Sequence, residues 1–103
     1  MHINLKDKKI LITGASGGIG SSLSSKFIEE GCRIIFTSSN ENTLKELNRK
    51  YGSKHLYYFL DLLEKKSLSK NILDITNENP DIDILINNAG ITADNIFLRM
   101  KPE

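Results

Sequence analysis

The 103-residue sequence has little of several residue types, and each shortage excludes a class of protein. Its single cysteine, Cys32, cannot form an intrachain disulfide, so a disulfide-stabilised secreted domain is excluded. With that one cysteine and two histidines, the sequence shows no cluster with metal-ligand spacing. A formal net charge of +1 supplies no basic field to attract nucleic acid.

Long apolar runs are also missing. The longest, such as Ile10-Leu11-Ile12, fall far short of the roughly 20 residues that cross a bilayer. The start of the chain lacks the apolar stretch of a signal peptide, and no Pro/Gly/Ser linker interrupts it. We therefore expect a cytoplasmic protein without membrane or nucleic-acid partners, in which residues 1–103 belong to one domain.

What the sequence does contain is a regular alternation of short apolar runs and helical patterns. The runs predict four strands, over Lys9–Thr13, Cys32–Ser38, His55–Leu60 and Ile82–Asn87. Helices are predicted between them: one ending at Gly31, one capped by Asn40 or Asn42 and closed by Gly52, and one over Ser67–Glu78. The chain from Asn88 onward is predicted to be loop. This βαβαβαβ pattern predicts a parallel sheet of order 3-2-1-4, the first half of a doubly wound Rossmann fold.

A glycine-rich turn follows the first strand and opens the first helix. It reads Gly14-Ala15-Ser16-Gly17-Gly18-Ile19-Gly20. A helix N-terminus carries unpaired N–H groups and about half a positive charge, and glycines let a diphosphate approach them closely. Gly14 permits the sharp turn, Gly18 the approach of the cofactor and Gly20 the packing of the helix on the sheet. The position of the turn within a βαβ unit favours a dinucleotide site over a flexible turn with incidental glycines.

The spacing Thr-Gly-x-x-x-Gly-x-Gly resembles that of the short-chain dehydrogenase/reductase family. Two later motifs agree with it: Asp61-Leu62 after the third strand, and Asn87-Asn88-Ala89-Gly90 after the fourth. The resemblance implies that Asp61 and Leu62 lie against the adenine, and that Asn88, Ala89 and Gly90 lie near the adenine ribose. Each motif follows a predicted strand, at the sheet edge where doubly wound folds bind ligands.

The end of the second strand bears on the choice of nicotinamide cofactor. An NAD site carries Asp or Glu there, whereas this chain has Thr37-Ser38-Ser39-Asn40 and no carboxylate before Glu41. Hydroxyl and amide groups can donate hydrogen bonds to a 2′-phosphate, so we expect NADP(H). Ser39 is the residue that we predict to contact this phosphate. Many NADP-dependent relatives have Arg where this chain has Gly17, which removes one expected phosphate partner.

Residues 87–100 narrow the resemblance further. Gly-Ile-Thr-x-Asp-Asn followed by Arg-Met resembles the branch of the family that reduces 3-oxoacyl thioesters on acyl carrier protein in fatty-acid synthesis. The resemblance implies NADPH as reductant, a (3R)-hydroxyacyl product and a homotetramer for the full-length protein. Another short-chain reductase, for acetoacetyl-CoA or another carbonyl substrate, stays open, as does a non-catalytic nucleotide-binding domain.

No catalytic residue is assigned. The family supplies its acid from a Tyr-x-x-x-Lys pair, but Tyr51, Tyr57 and Tyr58 have no lysine four positions later. The resemblance places these residues beyond residue 103. We further expect Cys32 to be buried, Lys8 and Lys9 to be solvated, and the outer edge of the fourth strand to lack a neighbour. Such an edge predicts a marginal, aggregation-prone isolated chain.

Overall fold

The computed structural model describes residues 4–14, 18–87 and 97–100. Five strands and three helices alternate in it: β1 Lys9–Thr13, α1 Gly18–Glu29, β2 Arg33–Ser38, α2 Glu41–Tyr51, β3 Leu56–Phe59, α3 Lys65–Glu78, β4 Ile84–Asn87 and β5 Phe97–Met100. The sheet order is β3-β2-β1-β4-β5. The predicted fold class is confirmed, because the first four strands form a parallel sheet of order 3-2-1-4.

β5 corrects two expectations. The chain after Asn88 was expected to be loop, but Phe97–Met100 forms a strand that pairs antiparallel with β4. The outer edge of β4 was expected to be unpaired, and it is instead covered by β5. Pairing with β4 satisfies backbone N–H and C=O groups of β5, a gain that a short segment does not reveal in its own sequence.

Two apolar clusters lie on opposite faces of the sheet, because successive side chains of a strand point to opposite sides. Ile10 and Ile12 of β1 join the larger cluster, beneath α1 and α2. Leu11 of the same strand joins the smaller one, with Ile35 and with Ile75 of α3. β1 is buried at every position, as expected of a central parallel strand covered on both faces.

Local capping sets the helix boundaries. Asn40 caps α2, its side-chain oxygen accepting from the Thr43 N–H at 3.2 Å. Gly52 follows the helix at φ 91°, a backbone angle that favours glycine. α3 begins two residues before the predicted Ser67, because the Glu64 carboxylate accepts from the Lys66 N–H at 3.1 Å and caps the helix there.

Lys9 was expected in solvent and is buried instead. Its ammonium donates to Asn79 Oδ1 at 3.2 Å and to Asp81 Oδ1 at 2.9 Å.

Cys32 is buried as predicted. Burial is the main cause that raises the pKa of its thiol, and the charge of Glu30 adds to it. Within the described ranges, no helix has both the length and the hydropathy needed to cross a membrane.

Candidate functional site

The carboxyl ends of β1, β2 and β3 meet around a cleft of about 230 Å³. Gly14, the residue that follows β1, is part of its lining and has φ 68°. β2 and the turn after it contribute the hydroxyl-bearing residues Thr37, Ser38 and Ser39, and the chain after β3 contributes Leu60, Asp61, Leu62 and Leu63. Three of the predicted site residues that are distant in sequence, Gly14, Ser39 and Asp61, thus line one cleft.

The N-terminus of α1 comes shortly after the carboxyl end of β1 in the chain. α1 begins at Gly18 and is a continuous helix to Glu29. Gly20 is buried within its first turn, where the Gly20 carbonyl accepts from Ser24 Oγ at 2.8 Å. The predicted residues Ala15, Ser16 and Gly17 lie outside the described residues, as do Asn88, Ala89 and Gly90.

The ends of the two central strands are joined beside the cleft. Thr13 Oγ1 donates to Asn87 Oδ1 at 2.8 Å, and the two residues are paired in the β1–β4 ladder. Asn87 is the last residue of β4, so this bond holds the ends of β1 and β4 together. The position of Thr13 within the strand gave no signal of this role in the sequence.

Hydrogen bonds distinguish the polar groups at the end of β2. Thr37 is buried, and its hydroxyl donates to the Ile12 carbonyl at 3.2 Å, which ties β2 to β1. Ser38 Oγ accepts from the Asn40 N–H at 3.1 Å, so it shapes the turn into α2. Ser39 lies in the cleft lining and is exposed. Glu41 is the first residue of α2, as expected.

The loop after β3 is ordered by its own carboxylate. Asp61 Oδ1 accepts from the Leu63 N–H at 3.0 Å, which closes a tight turn. The Leu60 N–H donates to the Ser38 carbonyl at 2.9 Å, so the two cleft walls are hydrogen-bonded to each other. Leu63 is 92% exposed, which gives the cleft an apolar rim suited to the flat face of a base.

The three tyrosines have structural partners. Tyr51 and Tyr57 stack on Phe36, with ring centroids 4.9 and 5.3 Å from it. Tyr57 also donates to the Gly52 carbonyl at 2.7 Å, and burial raises the pKa of its phenol. The Tyr58 hydroxyl accepts from Asn79 Nδ2 at 3.0 Å. These contacts agree with the absence of a Tyr-x-x-x-Lys pair in the sequence.

A larger cavity of about 460 Å³ lies against the α3 face of the sheet. Its lining is mostly apolar, with Leu11, Ile72, Ile82 and Leu85 among its residues. We place the candidate nucleotide site in the smaller cleft, because diphosphate and ribose require polar partners and Gly14 lines that cleft. In the described part of the chain, no three metal-ligating side chains come together.

Comparisons with known proteins agree with this geometry. A family model described as short chain dehydrogenase matches residues 8–103. The 3-oxoacyl-[acyl-carrier-protein] reductase FabG of Aquifex aeolicus is 39% identical over 98% of this chain and 42% of its own length. The enzyme of that name from Vibrio cholerae is 37% identical over 98% of this chain and 41% of its own length.

Solved structures give the same result. A short chain dehydrogenase/reductase family protein superposes with a TM-score of 0.71 and 27% identity, over 86% of this chain and 36% of its own. A short chain dehydrogenase from Bacillus anthracis superposes with a TM-score of 0.69 and 31% identity, over 85% of this chain and 37% of its own. The chain spans about two fifths of the length of the curated relatives it matches. By its family match, its sheet order and its glycine turn, the chain belongs to the short-chain dehydrogenase/reductase family.

Proposed function

We propose that the cleft binds the adenosine half of NADP(H), with the diphosphate over the glycine turn. The main support for this proposal is that Gly14, Ser39 and Asp61 line one cleft, at the edge of the sheet where α1 begins. The proposed cofactor contacts are Gly14, Ala15, Ser16, Gly17, Gly18, Ile19, Gly20, Ser39, Asp61, Leu62, Asn88, Ala89 and Gly90.

The preference for the 2′-phosphorylated cofactor is supported by the end of β2. A carboxylate there would bind the ribose 2′-hydroxyl and repel a phosphate. This chain has the exposed Ser39 at that place, and the first carboxylate after β2 is Glu41, the first residue of α2. A hydroxyl donates to a phosphate oxygen without adding negative charge.

For the full-length protein we propose NADPH-dependent reduction of a 3-oxoacyl group on acyl carrier protein to the (3R)-hydroxyacyl group. The support is the name shared by the relatives and the stretch from Asn87 to Met100. NADPH would supply the hydride, and the carbonyl oxygen then needs a proton donor. We place that donor beyond Glu103, since the described tyrosines are held in structural contacts. A homotetramer and a cytoplasmic location stay predictions.

Cofactor binding tests the first part of the proposal. The full chain is titrated with NADPH and NADH, and we expect tighter binding of NADPH. Gly18→Val places a branched side chain where the diphosphate approaches and is expected to abolish binding. Ser22→Val is the matched control, because it adds the same side chain at an exposed position of α1 outside the proposed contacts. Unchanged affinity in Gly18→Val would refute the site.

The substrate is tested separately, in the full-length protein. NADPH oxidation is followed with 3-oxoacyl-[acyl-carrier-protein] and with acetoacetyl-CoA, and faster turnover of the carrier-bound substrate is expected. Turnover of the coenzyme A substrate alone would identify a different reductase. Tight NADPH binding without oxidation of either would favour the non-catalytic nucleotide-binding domain.

A further inference from the structure

His55 lies buried at the start of β3, at the end of the sheet opposite to the nucleotide cleft. Its exposed fraction is 5%. Nδ1 accepts a hydrogen bond from the Ile34 N–H of β2 at 3.0 Å. The side chain therefore accepts a hydrogen bond from the backbone of β2, one residue before the β2–β3 ladder begins at the pair Ile35 and Leu56.

This hydrogen bond fixes the protonation state of the ring. An imidazole nitrogen accepts only when it carries no proton, so His55 must be neutral with its proton on Nε2. Protonation would point a second N–H at the Ile34 N–H and would leave that buried donor without an acceptor. Such a loss is costly because water does not replace the partner inside the protein.

The surroundings of the ring oppose a positive charge. Burial is the main cause that lowers the pKa of His55 below its usual value, and the charges of Lys54 and Arg33 add to it. Arg33 Nε donates to the Lys54 carbonyl at 2.9 Å, which holds the guanidinium next to the histidine. In the described part of the chain, no carboxylate acts on His55 in the opposite direction.

An aromatic cluster also lies beside the His55 ring. His55 meets the ring of Phe36 edge-on, with centroids 6.1 Å apart. α2 and β3 add phenols to the same ring, Tyr51 and Tyr57. A charged imidazole would thus be placed among apolar ring atoms and two cations.

The position of β3 in the sheet depends on its pairing with β2. It has four residues, and β2 is its only neighbour in the described sheet. Both walls of the nucleotide cleft follow directly from this pair of strands, Ser39 from β2 and Asp61 from β3. Disruption at His55 would therefore propagate along a short ladder into the cleft.

We propose that His55 is an acid-sensitive latch: in its neutral form it joins β3 to β2, and on protonation it releases β3 and opens the nucleotide cleft. The latch itself stands on the His55 contacts, and only its effect on the cleft rests on the proposed function.

The sign of the pH dependence follows from the native state. The unfolded chain binds a proton on His55 near pH 6.5, whereas the native state binds it only at lower pH. The latch therefore stabilises the folded chain fully above pH 6.5. The stabilisation is lost as the pH falls below that value. The folding equilibrium constant falls by at most about tenfold per pH unit, the limit for one proton.

The experiment compares urea unfolding of the full chain at pH 7.5 and pH 5.5 for three proteins. In His55→Asn the amide Oδ1 takes the place of Nδ1 as an acceptor that does not titrate. His2→Asn removes the only other histidine and is the matched control. We expect wild type and His2→Asn to lose stability at pH 5.5, and His55→Asn to lose much less. Equal losses in all three proteins would overturn the latch.

A second measurement keeps the test decisive if His55→Asn does not fold. NMR of the wild type reports the tautomer of His55 and the protection of the β3 amides. We expect the Nε2–H tautomer at pH 7.5, and loss of β3 protection at the pH where His55 titrates. Titration of His55 without change in the β3 amides would overturn the proposal.

Binding of 2′-phospho-ADP-ribose, the fragment of the proposed cofactor that the cleft would hold, then tests the link to the cleft at both pH values. Between pH 7.5 and pH 5.5 we expect the affinity to fall more in the wild type than in His55→Asn. Equal weakening in both would refute the coupling. If 2′-phospho-ADP-ribose binds to neither protein at either pH, the proposed nucleotide site fails, while the amide protection still decides the latch.

Discussion

Lys9 shows how one buried cation can connect distant parts of the chain. Its side chain is 10% exposed and reaches Asn79 and Asp81, about 70 positions later. In addition, the Lys9 backbone N–H donates to Asp83 Oδ2 at 3.0 Å. The residue thereby ties the start of β1 to the chain that enters β4, and both strands end at the nucleotide edge.

Lys9→Met tests this role at constant side-chain length. The variant keeps an apolar stem of similar size but leaves the buried Asn79 Oδ1 without its donor. We expect the free energy of unfolding in urea to fall by about 1–3 kcal/mol. Lys8→Met, at the adjacent and more exposed position, should change it by less than about 0.5 kcal/mol. Equal effects of the two substitutions would show that the ammonium contacts contribute nothing.

The same pair predicts a pH dependence in the acid range. The hydrogen bond from Lys9 is the main cause that lowers the pKa of Asp81 below its usual 3.8. The native state thus binds this proton less readily than the unfolded chain, and the ion pair stabilises above pH 3.8 and is lost below it. Unfolding measured from pH 5 to pH 2.5 should show a smaller acid loss in Asp81→Asn than in wild type. Asp74→Asn, an exposed carboxylate of α3, serves as control, and an identical acid loss in both variants would contradict the assignment.

At the scale of elements, an aromatic stack joins α2 to β2 and β3. Phe36 of β2 lies between Tyr51 of α2 and Tyr57 of β3, with ring planes inclined by 16° and 6°. Phe36 itself is fully buried. Phe36 and Tyr57 are partners in the β2–β3 ladder, so the stack positions these two strands relative to each other.

Phe36→Leu is expected to lower the free energy of unfolding by about 2 kcal/mol, because two ring pairs are lost together with part of the buried area. Phe27→Leu is the matched control, since Phe27 packs against the same cluster from α1 without a ring partner in the described chain. Urea unfolding followed by circular dichroism measures both. A loss in Phe36→Leu no larger than that in Phe27→Leu would mean that ring stacking contributes nothing beyond hydrophobic area.

Elements with strong local signals could be predicted from the sequence. β1 has the predicted bounds, because an uninterrupted apolar run is followed directly by Gly14. The start of α2 also follows from a local cap at Asn40. β5 could not be predicted, because it depends on a pairing with β4 that its own sequence does not encode. The environment of Lys9 was predicted wrongly for the same reason, since its partners are far away in the chain.

The candidate site could be predicted in part. Glycine spacing and strand-end positions predicted that Gly14, Ser39 and Asp61 would share one edge, and they line one cleft. The bond from Thr13 to Asn87 was not predictable, because many strand threonines occupy similar positions without such a partner. Geometry that arises between elements, such as a cross-strand hydrogen bond, requires the register of the sheet to be known.

At the scale of the whole molecule, the two faces of the sheet are covered unequally. α1 and α2 pack against one face, whereas α3 is the only described helix on the other. The apolar cavity of about 460 Å³ lies on that second face, and Ile72 of α3 is 38% exposed at its rim. Exposed apolar surface of this kind favours association between molecules.

We therefore expect the isolated 103-residue chain to self-associate, with a sedimentation coefficient that rises with protein concentration and a low thermal transition. Ile72→Glu places a charge at the rim of the cavity and should shift the chain toward monomer, because burying that carboxylate in a contact between molecules is unfavourable. Ser69→Glu adds the same charge on an exposed position of α3 outside the cavity lining, and it should leave the association nearly unchanged. Equal suppression by both variants would attribute association to net charge instead of the apolar face. A wild-type chain that stays monomeric at every concentration and unfolds cooperatively at high temperature would show that three helices protect this sheet sufficiently.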